Sequence, residues 1–163
     1  MNDKVLILND IRSAHNVGAI LRNAACFGDF DVYCTGYTPY PKIHNDTRLP
    51  HEVIALSNKI AKTALGAEQS LTVKHHQDIR QLFKELKVEG YTLVGLEQNA
   101  RSLDIRRWKP ATKTALVLGN EPLGIDVDVL DACDSVVEIV MHGAKESLNV
   151  ASATAIALFQ WTL

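Results

Sequence analysis

Short apolar runs alternate with longer amphipathic segments along almost the whole chain. The runs have the length and composition of strands buried on both faces, and three of the longer segments have helical spacing and end near a glycine. This alternation predicts an α/β fold, with a mainly parallel sheet and helices on both of its faces. The predicted strands are residues 5–8, 31–35, 71–74, 91–96, 114–118 and 136–140, and the predicted helices are residues 17–27, 52–65, 78–88 and 126–133.

The length of 163 residues is that of one domain, so residues 1–163 are expected to form a single unit. A hydrophobic fraction of 47% and a charged fraction of 22% are typical of globular proteins and argue against disorder. No apolar run approaches the roughly 20 residues of a membrane span, and the first residues lack the basic and apolar regions of a signal peptide. We therefore expect a cytoplasmic protein that does not associate with membranes.

The net charge of −2 gives no general affinity for nucleic acid, but the charge is unevenly distributed. Residues 1–116 carry a net charge of +4 and residues 117–163 carry −6, so a polyanion is expected on the first two-thirds of the chain. The three cysteines form no C-x-x-C pair and are expected to be buried thiols in a reducing compartment. The histidines lack metal-ligand spacing, so no metal site is expected.

The final segment, residues 147–163, contains no Lys, Arg, Asp or Glu. A helix that is apolar on nearly every side has to be covered on nearly every side. One small domain cannot easily do this alone. The segment therefore predicts a homodimer formed through the C-terminal apolar helix.

Polar residues follow the first predicted strand, in the segment NDIRSAHNVGAILR. Because ligands bind at the carboxyl ends of strands in open α/β sheets, Asn16 is a candidate site residue. Arg22 shares a helix face with small residues, so its guanidinium is expected against closely packed backbone. The alternatives are that Asn16 only caps a helix that begins near it and that Arg22 extends into solvent.

Two further segments carry candidate residues. In LGNEPLGI, glycines permit close backbone approach and Glu121 places a carboxylate at the end of a strand, although an ordinary strand-to-helix turn remains an alternative. The segment has no phosphate-binding glycine pattern. In VMHGAKESLNV, Ser147 is a candidate N-cap of the last helix, and Asn149 is expected inside its first turn as a buried amide that needs partners.

In this order, the segments NDIRSAHNVGAILRNAACFG, LVLGNEPLGI and IVMHGAKESLNVASATAIAL resemble the three motifs of the SpoU family of RNA ribose methyltransferases, in the SPOUT superfamily. The resemblance extends over residues 8–159. It implies a deep trefoil knot near the C-terminus, S-adenosylmethionine bound within the knot, and an obligate homodimer. The implied reaction is methyl transfer to a ribose 2′-hydroxyl of RNA, with tRNA as the expected substrate and rRNA as the alternative.

The resemblance also implies which residues form the site. The family proposal makes the motif arginine the base that takes the hydroxyl proton. An arginine pKa above about 12 makes the neutral guanidine that this requires costly, so unless the site strongly perturbs it the arginine is expected to clamp phosphate and stabilise charge. A proline follows the motif glutamate where many relatives have glycine, and it removes one N–H donor. The expected catalytic group is Asn16, Arg22, Glu121, Ser147 and Asn149. The cofactor is expected to contact Leu96, Gly119, Ile139, Met141 and Leu148.

RNA is expected to contact basic residues of the proline-containing loop, residues 36–51, and of the helix that follows it: Lys42, Arg48, Lys59 and Lys62. Two other functions remain open at this point. One is an RNA-binding module that has the same fold but transfers no methyl group. The other is an unrelated nucleotide- or flavin-binding domain, which would need a phosphate-type glycine loop where this chain offers only Gly18.

Overall fold

The computed structural model describes residues 2–163, which contain a sheet of seven parallel strands and six α-helices. The strands are β1 (Lys4–Asn9), β2 (Asp31–Thr35), β3 (Thr72–His76), β4 (Thr92–Leu96), β5 (Leu103–Asp104), β6 (Thr114–Leu118) and β7 (Ser135–Glu138). The helices are α1 (Ala14–Phe27), α2 (Pro50–Ala64), α3 (Ala67–Ser70), α4 (Ile79–Val88), α5 (Val127–Ala132) and α6 (Val150–Trp161).

The strands follow the spatial order β3-β2-β1-β6-β4-β7-β5, and every pair is parallel. The predicted fold class is confirmed, and all six predicted strands lie within two residues of their expected limits. The two-residue β5 and the four-residue α3 were not predicted, because elements this short show no measurable periodicity.

Two hydrophobic cores lie on opposite faces of the sheet. Helices α1, α2 and α6 cover one face, and α4 and α5 cover the other. The central strand β1 buries alternate side chains in both cores, which explains its uninterrupted apolar sequence. Helices α1 and α2 pack closely because Gly18 has no side chain. A Cβ there would lie 2.2 Å from Thr63 Oγ1 and 2.3 Å from the Ile60 carbonyl oxygen.

Two helices begin earlier than predicted. Ser13 is the N-cap of α1, and its hydroxyl accepts a hydrogen bond from Asn16 N at 3.3 Å. Asn16 is therefore not the cap of this helix. Pro50 is the first residue of α2. An N–H at this position has no partner within the helix, so proline costs no hydrogen bond there.

Helix α6 is covered on one side only. It buries Ala157, Leu158 and Trp161 in the core, whereas Ile156 and Phe159 remain exposed. No helix in residues 2–163 is long and apolar enough to cross a membrane.

The three cysteines differ in their environments. Cys34 is buried, and burial raises the pKa of its thiol to about 12. Burial also raises the pKa of the partly buried Cys133, to about 11. Cys26 lies exposed on α1, so the expectation of a buried thiol is wrong there: its side chain points away from both cores.

Candidate functional site

A cavity of about 320 Å³ opens at the carboxyl ends of β4, β6 and β7. This edge of a parallel sheet is where ligands usually bind in α/β folds. Its walls are the turn that follows β6 and the segment that connects β7 to α6. Most of the residues that line it therefore belong to connecting segments.

The cavity brings together most of the predicted site residues. All five residues expected to contact the cofactor line it: Leu96, Gly119, Ile139, Met141 and Leu148. Three of the five expected catalytic residues line it as well, namely Glu121, Ser147 and Asn149. Their roles stay predictions.

A hydrogen-bond network around Glu121 joins the three motif segments. The Glu121 carboxylate accepts bonds from Arg12 N at 2.9 Å, Ser13 N at 3.0 Å and Asn16 Nδ2 at 2.8 Å. Asn16 Oδ1 in turn accepts a bond from Asn149 Nδ2 at 3.1 Å. Because Ser13 caps α1, the Asn16 side chain is free to connect the other two segments.

Asn149 differs from its expected position. It is the exposed N-cap of α6, and its side-chain oxygen accepts hydrogen bonds from Ala151 N at 2.9 Å and Ser152 N at 3.4 Å. The predictions of a buried amide inside the helix and of an N-cap at Ser147 are therefore wrong. Asparagine is among the best N-cap residues, so α6 begins after Asn149, and its amide nitrogen is left to bind Asn16.

The environment of Glu121 favours its ionised form. Burial acts to raise the pKa of Glu121, but hydrogen bonds from Arg12 N, the Asn16 amide and Ser13 N outweigh burial and hold the pKa below its usual range. Because the three bonds stabilise the ionised form, Glu121 is a weak proton acceptor near neutral pH. Glu121 therefore acts as a fixed anionic acceptor that holds the loops together.

The lowered pKa predicts a pH-dependent contribution of Glu121 to stability. The contribution is complete above the unfolded-state pKa of about 4.3 and is lost as the pH falls through the lower folded-state pKa. Glu121→Gln is expected to reduce the free energy of unfolding by about 1 kcal/mol at pH 7, and by clearly less at pH 3. Urea unfolding of both proteins at each pH measures this difference. A deficit that is the same at the two pH values contradicts the prediction.

Glu97 was not among the predicted site residues, although it organises the same cavity. Its carboxylate accepts hydrogen bonds from Gln98 N and Ile125 N, both at 2.9 Å. It also lies directly over Gly124, where an added Cβ would be 2.3 Å from Glu97 Oε2. Glu97 thus joins the end of β4 to the turn after β6. A carboxylate immediately after a buried strand was the available signal.

Arg22 does not line the cavity. It lies exposed on α1, and its guanidinium has no hydrogen bond or ion pair within residues 2–163, so the expectation of close packing against backbone is wrong. The physical reason is helical geometry. At about 100° per residue, Asn16 and Arg22 point in directions about 120° apart. Asn16 faces the cavity, and Arg22 faces outward beside the exposed Cys26.

The predicted RNA-binding residues fall into two groups. Lys42, Lys59 and Lys62 are exposed. Arg48 instead binds within its own loop: its guanidinium pairs with Asp46, donates to two backbone carbonyls, and lies 3.6 Å from the centre of the Tyr40 ring. Hydrogen bonds from Arg48 hold the pKa of Asp46 well below its usual range. We therefore correct the expectation for Arg48, whose guanidinium is occupied in fixing the loop.

Metal-ligating side chains are scattered. Across residues 2–163, no group of three or more His, Cys, Asp or Glu side chains is arranged to hold a metal ion.

Comparison with known proteins gives a consistent result. The model of the SpoU rRNA Methylase family matches residues 3–159. The 23S rRNA (guanosine-2'-O-)-methyltransferase RlmB of Xanthomonas axonopodis pv. citri is 32% identical over 161 residues, which cover 96% of this chain and 57% of RlmB. The chain spans just over half the length of the curated relatives that it matches.

Solved structures share the fold. The TrmH/SpoU tRNA modifying enzyme of A. aeolicus superposes with a TM-score of 0.78 at 22% identity, covering 98% of this chain and 74% of that one. A second structure is that of the SpoU methyltransferase AviRb of Streptomyces viridochromogenes in complex with AdoMet. It superposes with a TM-score of 0.76 at 22% identity, and the match covers 98% of this chain and 57% of AviRb.

Proposed function

Because the chain belongs to the SpoU rRNA methylase family, we propose that it transfers a methyl group from S-adenosylmethionine to a ribose 2′-hydroxyl of RNA. The observation that carries the proposal is the network in which Glu121 and Asn149 both bind Asn16, beside the cavity at the sheet edge. The network joins residues 16, 121 and 149, one from each motif. An RNA-binding module without chemistry would not need this convergence of polar side chains.

The cavity suits S-adenosylmethionine in size and lining. Its volume of about 320 Å³ lies within the range of small-ligand sites. Leu96, Ile139 and Leu148 provide apolar surface for a flat adenine, and the carboxylates of Glu97 and Glu138 lie where a positively charged ligand would be favoured. When bound, the cofactor supplies a methyl group that its sulfonium makes electrophilic.

The residues of the chain then align the acceptor. The transfer would be an in-line displacement in which the ribose oxygen gains the methyl group, the methyl–sulfur bond breaks to leave a neutral thioether, and the hydroxyl proton is released to solvent. Alignment and a site with little water are its main requirements. Asn16 orients the ribose or its neighbouring phosphate, while Glu121 and Asn149 hold Asn16 in place. Arg22 stabilises the negative charge that develops on the hydroxyl oxygen and clamps a phosphate.

A homodimer through α6 is part of the proposal. The exposed residues Ile156 and Phe159 lie on one stripe of α6, and Phe159 packs edge-on against Phe27 of α1 with ring centroids 6.4 Å apart. Arg22 and Cys26 lie on the exposed face of α1, the helix that contacts α6 through Asn23 and Phe27. A second copy seated there would cover α6 and bring Arg22 to the partner's cavity. The deep knot and a cytoplasmic location stay predictions.

The proposed substrate is tRNA, and Lys42, Lys59 and Lys62 form the proposed RNA surface. The structural relative of A. aeolicus is named as a tRNA modifying enzyme, and this chain covers 74% of it. The relative RlmB is named as a 23S rRNA enzyme, which keeps rRNA as the second candidate. Phosphate contacts by a few lysines predict binding that weakens steeply with salt.

The test is incubation with S-adenosylmethionine labelled on its methyl group, together with separated tRNA and rRNA, followed by nuclease digestion. We expect label in 2′-O-methylnucleosides from tRNA. Label on a base contradicts the ribose assignment. Binding of RNA without transfer of label favours the non-catalytic module.

Glu97 provides a prediction about the cofactor cavity. Glu97→Gln keeps the side-chain size but replaces one acceptor oxygen by an NH₂ group. That group is a donor and cannot accept the hydrogen bond from Gln98 N–H or from Ile125 N–H. The turn after β6 should loosen, and the dissociation constant for S-adenosylmethionine should rise about tenfold. Isothermal titration calorimetry measures the change. Glu52→Gln is the matched control, since it makes the same change at an exposed carboxylate of α2 that does not line the cavity. An unchanged affinity in Glu97→Gln would overturn the role given to the carboxylate.

A further inference from the structure

We propose that Tyr37 is a stacking platform for a nucleobase of the RNA substrate. The proposal rests on the proposed function and names a contact residue for its substrate. Tyr37 lies at the carboxyl edge of the sheet just after β2, and 60% of its surface is exposed. An aromatic ring this exposed contributes little to the hydrophobic core, so its flat face is available to a ligand.

The Tyr37 ring is held in a fixed position by contacts at both ends of the residue. Its hydroxyl accepts a hydrogen bond from Asn120 Nδ2 at 2.7 Å, and its backbone N–H donates to Asp10 Oδ1 at 3.1 Å. Asn120 Nδ2 also donates to the Asp10 carbonyl oxygen at 2.9 Å. The ring is therefore attached both to the loop after β1 and to the turn after β6.

Residues of the two loops beside Tyr37 have backbone conformations that few other residues could adopt. Asp10 has a φ of 54°, which is uncommon for a residue other than glycine. Gly36 has a φ of 60°, and a Cβ there would lie 2.0 Å from Asp10 Oδ1. Thr38 adds a bond from its hydroxyl to the Leu8 carbonyl oxygen at 2.8 Å. Together these contacts hold the loops that carry Tyr37 in one conformation.

The surroundings of Tyr37 match a nucleotide. Asn120 also fixes Leu123, whose N–H donates to Asn120 Oδ1 at 3.0 Å and whose side chain is 78% exposed. The exposed side chains of Tyr37 and Leu123 thus both lie beside Asn120, the residue before Glu121. Next to them, an open cavity of about 420 Å³ is lined by Arg12, Asn16, Glu121 and neighbouring residues. Arg12 is exposed and suited to a phosphate.

These features together favour an RNA base over other occupants. The open cavity shares Glu121 with the cofactor cavity, so a ribose placed there lies beside the methyl donor. A base stacked on the ring of Tyr37 would fix that nucleotide or its neighbour. Stacking on an aromatic side chain is tolerant of sequence, so Tyr37 is expected to contribute affinity and alignment more than base choice.

Methyl transfer to unmodified tRNA transcripts tests the proposal. Tyr37→Ala is expected to reduce kcat/KM for RNA on the order of 10- to 100-fold, mainly through KM, without changing S-adenosylmethionine affinity. Tyr37→Phe keeps the ring and loses only the bond to Asn120, so its loss should stay below about fivefold. Val88→Ala is the control, because Val88 is 88% exposed at the end of α4, on the opposite edge of the sheet.

A second readout does not depend on catalysis. Both native tryptophans are buried, so Tyr37→Trp places a single exposed indole at the site. Addition of total tRNA should quench its fluorescence, and the same addition should leave the wild-type emission nearly unchanged. Quenching together with the KM effect supports the proposal. Absence of quenching, or an unchanged KM in Tyr37→Ala, overturns it. A wild-type protein that methylates no RNA contradicts the proposed function instead, and the fluorescence result still decides the role of Tyr37.

Discussion

Arg22→Ala is expected to lower methyl transfer to RNA by about 10³-fold and to leave the dissociation constant for S-adenosylmethionine nearly unchanged. Arg22 does not line the cavity proposed for the cofactor, so its loss should spare cofactor binding. It is exposed and unpaired within residues 2–163, so its loss should also spare the fold. Single-turnover methylation and calorimetric titration of the cofactor measure the two effects. A variant that methylates at a rate near that of the wild type contradicts the assignment.

Arg22→Lys separates charge from geometry. Lysine keeps the positive charge but loses the planar fork that binds phosphate through two parallel hydrogen bonds. We expect the rate of methyl transfer to fall about 10²-fold, which places the lysine variant between the wild type and the alanine variant. A lysine variant as active as the wild type would show that a point charge suffices and that bidentate clamping plays no part.

Mixed dimers test whether Arg22 acts in the partner's cavity. Arg22→Ala and Glu121→Gln subunits are mixed so that heterodimers form. In such a heterodimer, the Arg22→Ala subunit has an intact Glu121 network, and its cavity receives Arg22 from the Glu121→Gln subunit. Each variant alone is expected to be nearly inactive, Glu121→Gln because it releases Asn16, and random exchange of equal amounts should restore about a quarter of wild-type activity. If Arg22 served the cavity of its own subunit, every site in the mixture would lack one residue. No activity would then return.

The main fold features were predictable from sequence because burial leaves a strong pattern. Strands such as β1 and β6 are buried on both faces, so nearly every residue in them is apolar. Helix starts were less predictable, because several residues compete to cap the same end. Ser13 and Asn16 are both good caps for α1, and Ser147 and Asn149 are both good caps for α6. Only the folded structure shows which of the two side chains caps the helix and which is available to the site.

The candidate site was predicted to the extent that its residues lie in recognisable motifs. The motif residues Glu121 and Asn149 meet at Asn16, as the resemblance implies. Glu97 and Asn120 were missed, because their partners are distant in sequence and are known only once β6 is placed between β1 and β4. Arg48 was wrongly predicted to bind RNA, because the sequence does not show that its guanidinium already pairs with the carboxylate of Asp46.

Phe159→Asp is expected to dissociate the proposed homodimer and to abolish methyl transfer with it. Phe159 is 56% exposed in the single chain, so a carboxylate there remains hydrated and the fold should persist. In the dimer the same carboxylate would be buried against an apolar surface without a partner, which costs several kcal/mol. We expect a monomer by analytical ultracentrifugation, circular dichroism like that of the wild type, and activity reduced by at least about 10²-fold.

Val88→Asp is the matched control for Phe159→Asp. It places the same charge on an exposed apolar position of α4, away from α1 and α6, and should leave both the dimer and the activity intact. If Phe159→Asp remains dimeric, the interface lies elsewhere on the molecule. If it becomes a monomer with full activity, Arg22 has no function in the partner's cavity. Loss of the dimer together with loss of activity is the result expected if each subunit supplies its arginine to the other, since neither chain alone brings Arg22 to Asn149.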